Sequence, residues 1–366
     1  MPPRKKKTRI FLYLKFFIPA IVVAIAVAVG YTVYAVNAIT KSNRSLLAIK
    51  DFPKKLPDNW GKVVSLTWKD IQINGDSGTL NGWVLIRGAG LPGVIITHGL
   101  NGSRADMMDL GYRLWERGYN VLLYDLRAHG ESGSLVTTLG ASEKKDLLKA
   151  IEAFKQVKVP APKGGGEEQL IDPNKIGLYG VNIGAYASLM VGGEQDAVKA
   201  VVADMPYDSV QEFAHLRARE LFGFDNFVTN GLLDIGLQIN QGGIYDTGSV
   251  RSQVANYQSK GKSVAVLVAE NQPKSAQQVA VRVSSLFGPP VGERIDVPRS
   301  RNIPLAGKEA DTYNERVCNF FAQRGFPVTP LPTAASASPS GSSPPDTAGT
   351  DSGASAGKDT GKESGK

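Results

Sequence analysis

Five residues, Gly180-Val181-Asn182-Ile183-Gly184, hold the place in this sequence where nucleophilic chemistry would be done. They close an apolar run, Lys175-Ile176-Gly177-Leu178-Tyr179, that reads as a strand, and they open a helix-like run from Ala185 to Val191. A strand that turns sharply into a helix pushes its central side chain out at the end of a sheet, and flanking glycines let the two backbones come close. A serine or cysteine at that point would attack a carbonyl once a neighbouring base took its proton. The residue there is Asn182. A carboxamide has no ionisable hydroxyl or thiol, so the turn is present without its attacking atom.

Bases and acids are as scarce as nucleophiles. The chain has three histidines, His98, His129 and His215, and none lies beyond position 215. Cys318 is the only cysteine, which excludes an intramolecular disulfide and reads as a small apolar residue of the last helix. Gly164-Gly165-Gly166 is followed by no Lys-Ser/Thr pair, so it is not a phosphate cradle. No metal site and no cofactor are expected.

The elements that would position these residues alternate. Two strands, Trp68 to Ile73 and Leu80 to Ile86, lead. Then come a strand at Val94 to Thr97, a helix over Arg104 to Arg117, a strand at Asn120 to Tyr124 and a helix over Ser142 to Gln156. Leu147, Leu148, Ile151 and Phe154 put an apolar face on that last helix. Val157 to Asn174 reads as a surface loop. After the elbow come a strand at Ala197 to Ala203, a mostly helical cap over 208–258 and a strand at Val264 to Ala269. A helix over Ser275 to Phe287, a strand at Arg294 to Val297 and a closing helix over Lys308 to Arg324 complete the series. Strands alternating with helices after a hairpin predict an α/β class with a mainly parallel sheet covered on both faces.

Four motifs in order resemble the α/β-hydrolase superfamily, and within it the exported serine-hydrolase branch of acyl-aminoacyl peptidases and lipolytic esterases. Thr97-His98-Gly99-Leu100-Asn101-Gly102 is similar to the oxyanion turn after the third strand. Tyr124-Asp125-Leu126-Arg127-Ala128-His129-Gly130-Glu131-Ser132 is similar to the D-x-R-G-H-G-x-S loop after the fourth, where Asp125, Arg127 and His129 would be structural. The elbow follows, and Val202-Ala203-Asp204-Met205-Pro206-Tyr207 is similar to A-D-S-P-Y. The resemblance covers about 64–325 and implies an eight-stranded α/β-hydrolase fold with a helical cap.

The same resemblance places a histidine base after the last strand, about where Asn302 stands. It places an acid after the seventh strand, where the sequence runs Ala269-Glu270-Asn271-Gln272-Pro273-Lys274 with no aspartate. Asp204 or Asp208 would be the substitute acid. The triad therefore reads as degenerate. Residues left to line a cleft are His98, Gly99, Leu100, Asn182 and Ile183. Asn182 reads as a ligand contact, as a relic satisfying the turn backbone, or as the source of an aspartate by deamidation. His98 reads as packed beneath its turn, His129 as structural and His215 as a surface residue of the cap.

The ends of the chain carry different signals. Arg4, Lys5, Lys6, Lys7, Arg9 and Lys15 give six positive charges before Phe16, and residues 16–36 are 21 positions without a charge. Such a helix is about 30 Å long, enough to cross a bilayer core, and the basic flank predicts a cytoplasmic N-terminus with the remainder exported. The expected divisions are a basic segment 1–15, a signal-anchor helix 16–36, a stalk 37–63, a hydrolase-like domain 64–328 and a disordered tail 329–366. The tail is Ser, Pro, Ala, Gly and Thr with almost no large apolar residue. The net charge of +8 is concentrated at the N-terminus and makes no basic stripe, so nucleic acid is not an expected partner.

Together these observations predict a single-pass membrane protein whose hydrolase-like domain is a catalytically inactive binding or scaffolding module. Its partners would be the membrane and a small-molecule, acyl or peptide ligand or another protein. The alternatives are an active serine-hydrolase-type esterase or peptidase with relocated residues, or a structural envelope protein with a filled cleft.

Overall fold

The structure, a computed structural model, describes residues 5–42 and 66–326 apart from 77, 162–163, 224–225, 244, 246–247, 304 and 306. The expected tail, most of the expected stalk and Phe224 of the cap lie outside the described residues.

One sheet of eight strands organises the domain. Its strands are β1 (Thr67–Gly75), β2 (Gly78–Ile86), β3 (Leu91–Thr97), β4 (Asn120–Tyr124), β7 (Ile171–Val181), β8 (Val198–Asp204), β9 (Ser263–Ala269) and β10 (Gly292–Val297). Their spatial order is β1-β2-β4-β3-β7-β8-β9-β10. β2 runs antiparallel to both β1 and β4, and every later pairing is parallel. The apolar runs Asn120–Tyr124 and Val264–Ala269 are buried throughout, as strands covered on both faces must be. β1, at the edge, is mostly exposed.

Two groups of helices cover the sheet. α3 (Glu143–Lys155) packs on α4 (Ile183–Glu194), and α2 (Met108–Glu116) packs on α9 (Gly307–Phe320). α7 (Val254–Ser259) lies against α4, while α8 (Lys274–Leu286) packs on β9 and β10. α4 is buried from Ile183 to Gly193, so the helix that leaves the elbow is held on all sides. The thiol of Cys318, buried in α9, is pushed up to about 12 by burial.

The expected loop at Val157 to Asn174 is partly regular. β5 (Lys158–Pro160) pairs with β6 (Glu167–Gln169) as a small hairpin, and β7 already begins at Ile171. Val159 packs against the core, and Leu170 and Ile171 lie within it. These apolar residues are what turn a glycine-rich connection into a hairpin.

The cap consists of α5 (Val210–Phe222), α6 (Phe227–Asn240) and the turn leading to α7. Ser209 caps α5 by accepting from the Glu212 N–H, and Asn226 caps α6 by accepting from Val228 and Thr229. Gly223, at φ 70°, closes α5 in the left-handed conformation that glycine adopts without a Cβ penalty.

The N-terminal helix α1 (Lys5–Thr40) is longer than its uncharged run. From Lys15 to Thr40 it is long and apolar enough to cross a membrane. The large apolar side chains from Phe16 to Val29 are exposed, whereas Ala35, Val36, Ile39 and Thr40 are buried against the domain. Residues 37–40, expected in a stalk, instead end this helix against the domain, and Lys41 and Ser42 follow it. The Thr40 carbonyl accepts from the Thr137 N–H at 3.0 Å, and the Ser42 hydroxyl donates to the Ala128 carbonyl.

Candidate cleft at the strand-to-helix elbow

Asn182 sits between β7 and α4 at φ 49° and ψ −107°, a strained region for a residue with a side chain. The geometry is enforced from both sides. A Cβ on Gly180 would lie 2.1 Å from the Gly184 carbonyl oxygen, and one on Gly184 would lie 2.5 Å from the Thr97 carbonyl oxygen. The Asn182 N–H donates to the Asp204 carbonyl at 2.9 Å, and its own carbonyl accepts from Tyr186 at 3.0 Å. The backbone of the turn is thus satisfied by other main-chain groups. The Asn182 side chain does not cap α4; it lines a cavity of about 420 Å³.

That cavity lies between the carboxyl ends of the strands and the cap. Gly99, Leu100 and Asn101 of the β3 turn, Met205 and Tyr207 after β8, and Gln272, Arg301 and Asn302 after β9 and β10 form its floor and walls. Phe213, Leu216, Arg217 and Glu220 of α5 roof it. Tyr207 stacks between Tyr186 and Phe213, with centroids at 5.0 and 4.3 Å, which ties the roof to the body.

Gln272 and Asn302 meet across the two loops. The Asn302 Nδ2 donates to Gln272 Oε1 at 3.0 Å, and the Gln272 Nε2 donates to Asn302 Oδ1 at 3.2 Å. The Gln272 carbonyl also accepts from Gln277 at 2.6 Å, and the Asn302 N–H donates to the Ser300 hydroxyl at 3.2 Å. The pair is therefore held from both loops.

No family model matches the chain. Over 151 residues it is 26% identical to the uncharacterized protein YqkD of Bacillus subtilis, covering 41% of this chain and 46% of that protein. Over 117 residues it is 31% identical to the candidate esterase YitV of the same organism, covering 31% of this chain and 44% of that one. The chain thus spans a little under half the length of these relatives. Among solved structures it is similar to the Pyrococcus furiosus esterase Pf2001, with TM-score 0.51 and 22% identity over 75% of this chain and 97% of that one. It is also similar to ferulic-acid-bound Est1E of Butyrivibrio proteoclasticus, with TM-score 0.51 and 17% identity over 69% and 98%. The fold is that of the α/β-hydrolases.

In the hydrolase fold the elbow, the turn after β3 and the loops after β9 and β10 converge on one cleft, and here they do so with Asn182, Gly99, Leu100, Gln272 and Asn302. His98 and Ile183 are not part of its lining; both are buried beneath it. His98 Nδ1 donates to the Gly99 carbonyl at 2.7 Å, and its Nε2 accepts from the Leu126 N–H at 2.9 Å. His129 repeats the arrangement, donating from Nδ1 to the Arg127 carbonyl at 2.7 Å and accepting at Nε2 from the Asn101 N–H at 3.1 Å. Donation at one nitrogen and acceptance at the other fix a neutral ring in one tautomer. Burial pushes both imidazoles down to about 4, and their rings meet edge to face at 5.1 Å. Their lone pairs are already used.

Asp125 and Arg127 hold the loop that carries His129. The Asp125 carboxylate accepts from the Arg104 N–H at 2.7 Å and from the Glu131 N–H at 3.0 Å, and it pairs with the Arg104 guanidinium. Arg127 grips Asp146 through Nε and Nη2 at 2.7 and 2.8 Å. Gly130 is required where it stands. Its φ is 47°, and a Cβ there would lie 2.2 Å from the Asp125 carboxyl.

Asp204, the substitute acid considered from sequence, is buried and committed to structure. Its Oδ2 accepts from the Arg301 N–H at 2.8 Å and from the Tyr313 hydroxyl at 2.6 Å, and Tyr313 in turn meets the Tyr179 hydroxyl at 2.8 Å. Burial raises its carboxyl to about 6. Asp208 accepts from the Arg251 N–H at 3.0 Å. His215, expected at the surface, is half-buried. It meets Asp234 at 2.8 Å, and that carboxylate also accepts from Gln211 and Tyr245. This cluster fastens α5 to α6.

Sequence reasoning missed Gln272 and Arg301. Arg301 is almost wholly buried, grips Asp109 and Asn314, and stacks over the Tyr313 ring at 5.2 Å, fixing the loop that presents Asn302. Among the described residues, no group of three or more His, Cys, Asp or Glu could hold a metal ion.

Proposed function

We propose that this chain is a membrane-anchored pseudo-hydrolase whose cleft binds a ligand without cleaving it. The observation that carries this reading is the set of side chains at the three positions of a nucleophile, base and acid. They are Asn182, Asn302 and Gln272, three neutral carboxamides, the last two bonded to each other. A carboxamide gives no nucleophile or general base at neutral pH. His98 and His129 supply no relocated base, because both ring nitrogens of each are held by main-chain groups.

What remains is a recognition surface. Asn101, Asn182, Gln272 and Asn302 present donors and acceptors to a cavity whose roof is apolar at Phe213 and Leu216 and carries Arg217 and Glu220 paired with each other. Its ligand is an acyl or peptide group carrying an uncharged polar centre. α1 would anchor the domain, with the basic N-terminus cytoplasmic and the domain exported. The ancestry in the acyl-aminoacyl peptidase and lipolytic branch belongs to this proposal.

A second reading, an esterase using other residues, draws on the esterases of like fold and on the intact cavity. A fluorophosphonate probe and short p-nitrophenyl esters separate the two. The full chain in membranes is expected neither to label nor to hydrolyse; labelling that maps to one serine overturns the pseudo-hydrolase reading.

A further inference from the structure

The outer face of α6 carries one exposed polar side chain, Gln238, among apolar ones, where an exposed helix ordinarily presents mostly polar residues. Phe227, Val228, Ile235 and Ile239 are exposed there, Phe227 at 92% and Ile239 at 76%, and half-buried Leu232 lies among them. The one charged residue of the helix, Asp234, is engaged by His215, Gln211 and Tyr245. Leu233 and Leu237 face the domain. Gly236 faces α1, where a Cβ would lie 2.3 Å from the Thr32 side chain and 2.8 Å from that of Val36. At 3.6 residues per turn, Val228, Ile235 and Ile239 lie about 60–100° around the helix from Gly236, beside the α1 contact, and Phe227 lies on the side opposite Gly236.

The same contact sets the depth of the cap. Phe222, at the end of α5, packs on Tyr31 and Tyr34 with ring centroids at 6.2 and 5.6 Å. Of the uncharged run of α1, only residues 16–30 are clear of the cap, and they span about 22 Å. A hydrocarbon core is about 30 Å thick. Residues 31–36 make up the difference when the cap elements packed on them enter the headgroup and upper acyl region as well. Apart from Gln238, the exposed side chains of that face are apolar.

We infer that the outer face of α6, with Leu221 at the end of α5, is a bilayer-docking surface that seats the cap in the lipid interface beside α1. The inference rests on the anchor reading proposed above and goes beyond it by giving the cap its own lipid contact. Because α5 also roofs the cleft, the ligand-binding cavity lies close to the lipid, within reach of an amphiphile carried there.

Four variants of the full chain, each with one added cysteine, test this, since the native Cys318 is buried. Each is labelled with an environment-sensitive fluorophore and reconstituted in phosphatidylcholine–phosphatidylglycerol vesicles carrying spin-labelled lipid. Val23→Cys in α1 is expected to be quenched by a label near the chain ends. Val228→Cys and Ile239→Cys are expected to be quenched by a label near the headgroups, and Glu152→Cys on α3 by neither. Quenching at Val23 without quenching at the two α6 sites overturns the docking surface and leaves the anchor standing. No quenching at Val23 removes the anchor and the docking surface together. Self-quenching at the α6 sites that grows with the protein-to-lipid ratio, without loss to lipid quenchers, assigns the face to a second copy and overturns the inference.

Discussion

Gln272 and Asn302 exchange two hydrogen bonds, at 3.0 and 3.2 Å, across the loops that follow β9 and β10. An acid and a base at these positions would make one charge-assisted bond, leaving the second imidazole nitrogen for a nucleophile. Two carboxamides make a neutral pair that stays the same at any pH where the protein folds.

This relationship predicts how activity could be rebuilt. Asn182→Ser alone is expected to stay at the uncatalysed rate with p-nitrophenyl acetate, because the new hydroxyl meets no base. Asn182→Ser with Asn302→His and Gln272→Asp supplies all three roles on a frame that already holds the loops. General-base assistance is worth about 10²–10⁴ in rate, so the triple variant is expected to rise at least about 10²-fold above the single one. Stopped-assay rates and mass-spectrometric mapping of an acyl adduct to the introduced serine check this; equal rates for the two variants would refute it.

The parts of this site that were legible in the sequence are those marked by backbone demands. Gly180, Gly184 and Gly130 announce sharp turns or close approaches because a Cβ would collide there. The buried strands announce themselves as apolar runs. The cleft partners do not. Gln272 is one polar residue in a polar loop, thirty positions from Asn302, and only the parallel pairing of β9 with β10 brings the two loops side by side. Arg301 is one of four basic or polar residues in a row, 299–302, after a strand, and its burial depends on Asp109 and Asn314, which lie on other elements. The docked end of α1 was hidden because Thr40 and Ser42 are polar, and they reach the domain through hydrogen bonds that hydropathy does not record.

Backbone strain at Asn182 predicts a stabilising substitution. Its φ of 49° and ψ of −107° are open to glycine and strained for other residues. Asn182→Gly is expected to raise stability by about 1 kcal/mol, and β-branched Asn182→Val to lower it by at least as much. Chemical denaturation midpoints of the two variants check the ordering. A destabilised glycine variant would mean that the asparagine side chain contributes more to folding than the strain removes.

His98 and His129 predict a stability profile. Each imidazole falls to about 4 on burial, below its ordinary 6.5. Between these values the unfolded chain binds more protons than the folded one, so stability is full above about pH 6.5 and is lost as pH falls toward 4. Each ring contributes up to about 3 kcal/mol, not additively, since the two are in contact. Nitrogen NMR of the full chain should show both rings as neutral Nδ1–H tautomers down to about pH 5. Titration of either near pH 6.5 would contradict the buried, doubly bonded geometry.

Asp204 works in the opposite direction over an overlapping range. Burial raises its carboxyl from 3.8 to about 6, so between these values the folded chain binds the extra proton. Its contribution to stability is full below about pH 4 and is lost as pH rises through 6, a change of about 3 kcal/mol. Asp204→Asn keeps an oxygen to accept from the Arg301 N–H and the Tyr313 hydroxyl while removing the titrating charge. The stability of the variant relative to the parent is therefore expected to improve steadily from pH 4 to pH 7. Urea unfolding at several pH values measures that difference directly, with the two histidines cancelling because both chains contain them. A difference that does not change with pH would place the Asp204 carboxyl in its ordinary range and remove the basis for reading it as a buried structural anchor of the Asn302 loop.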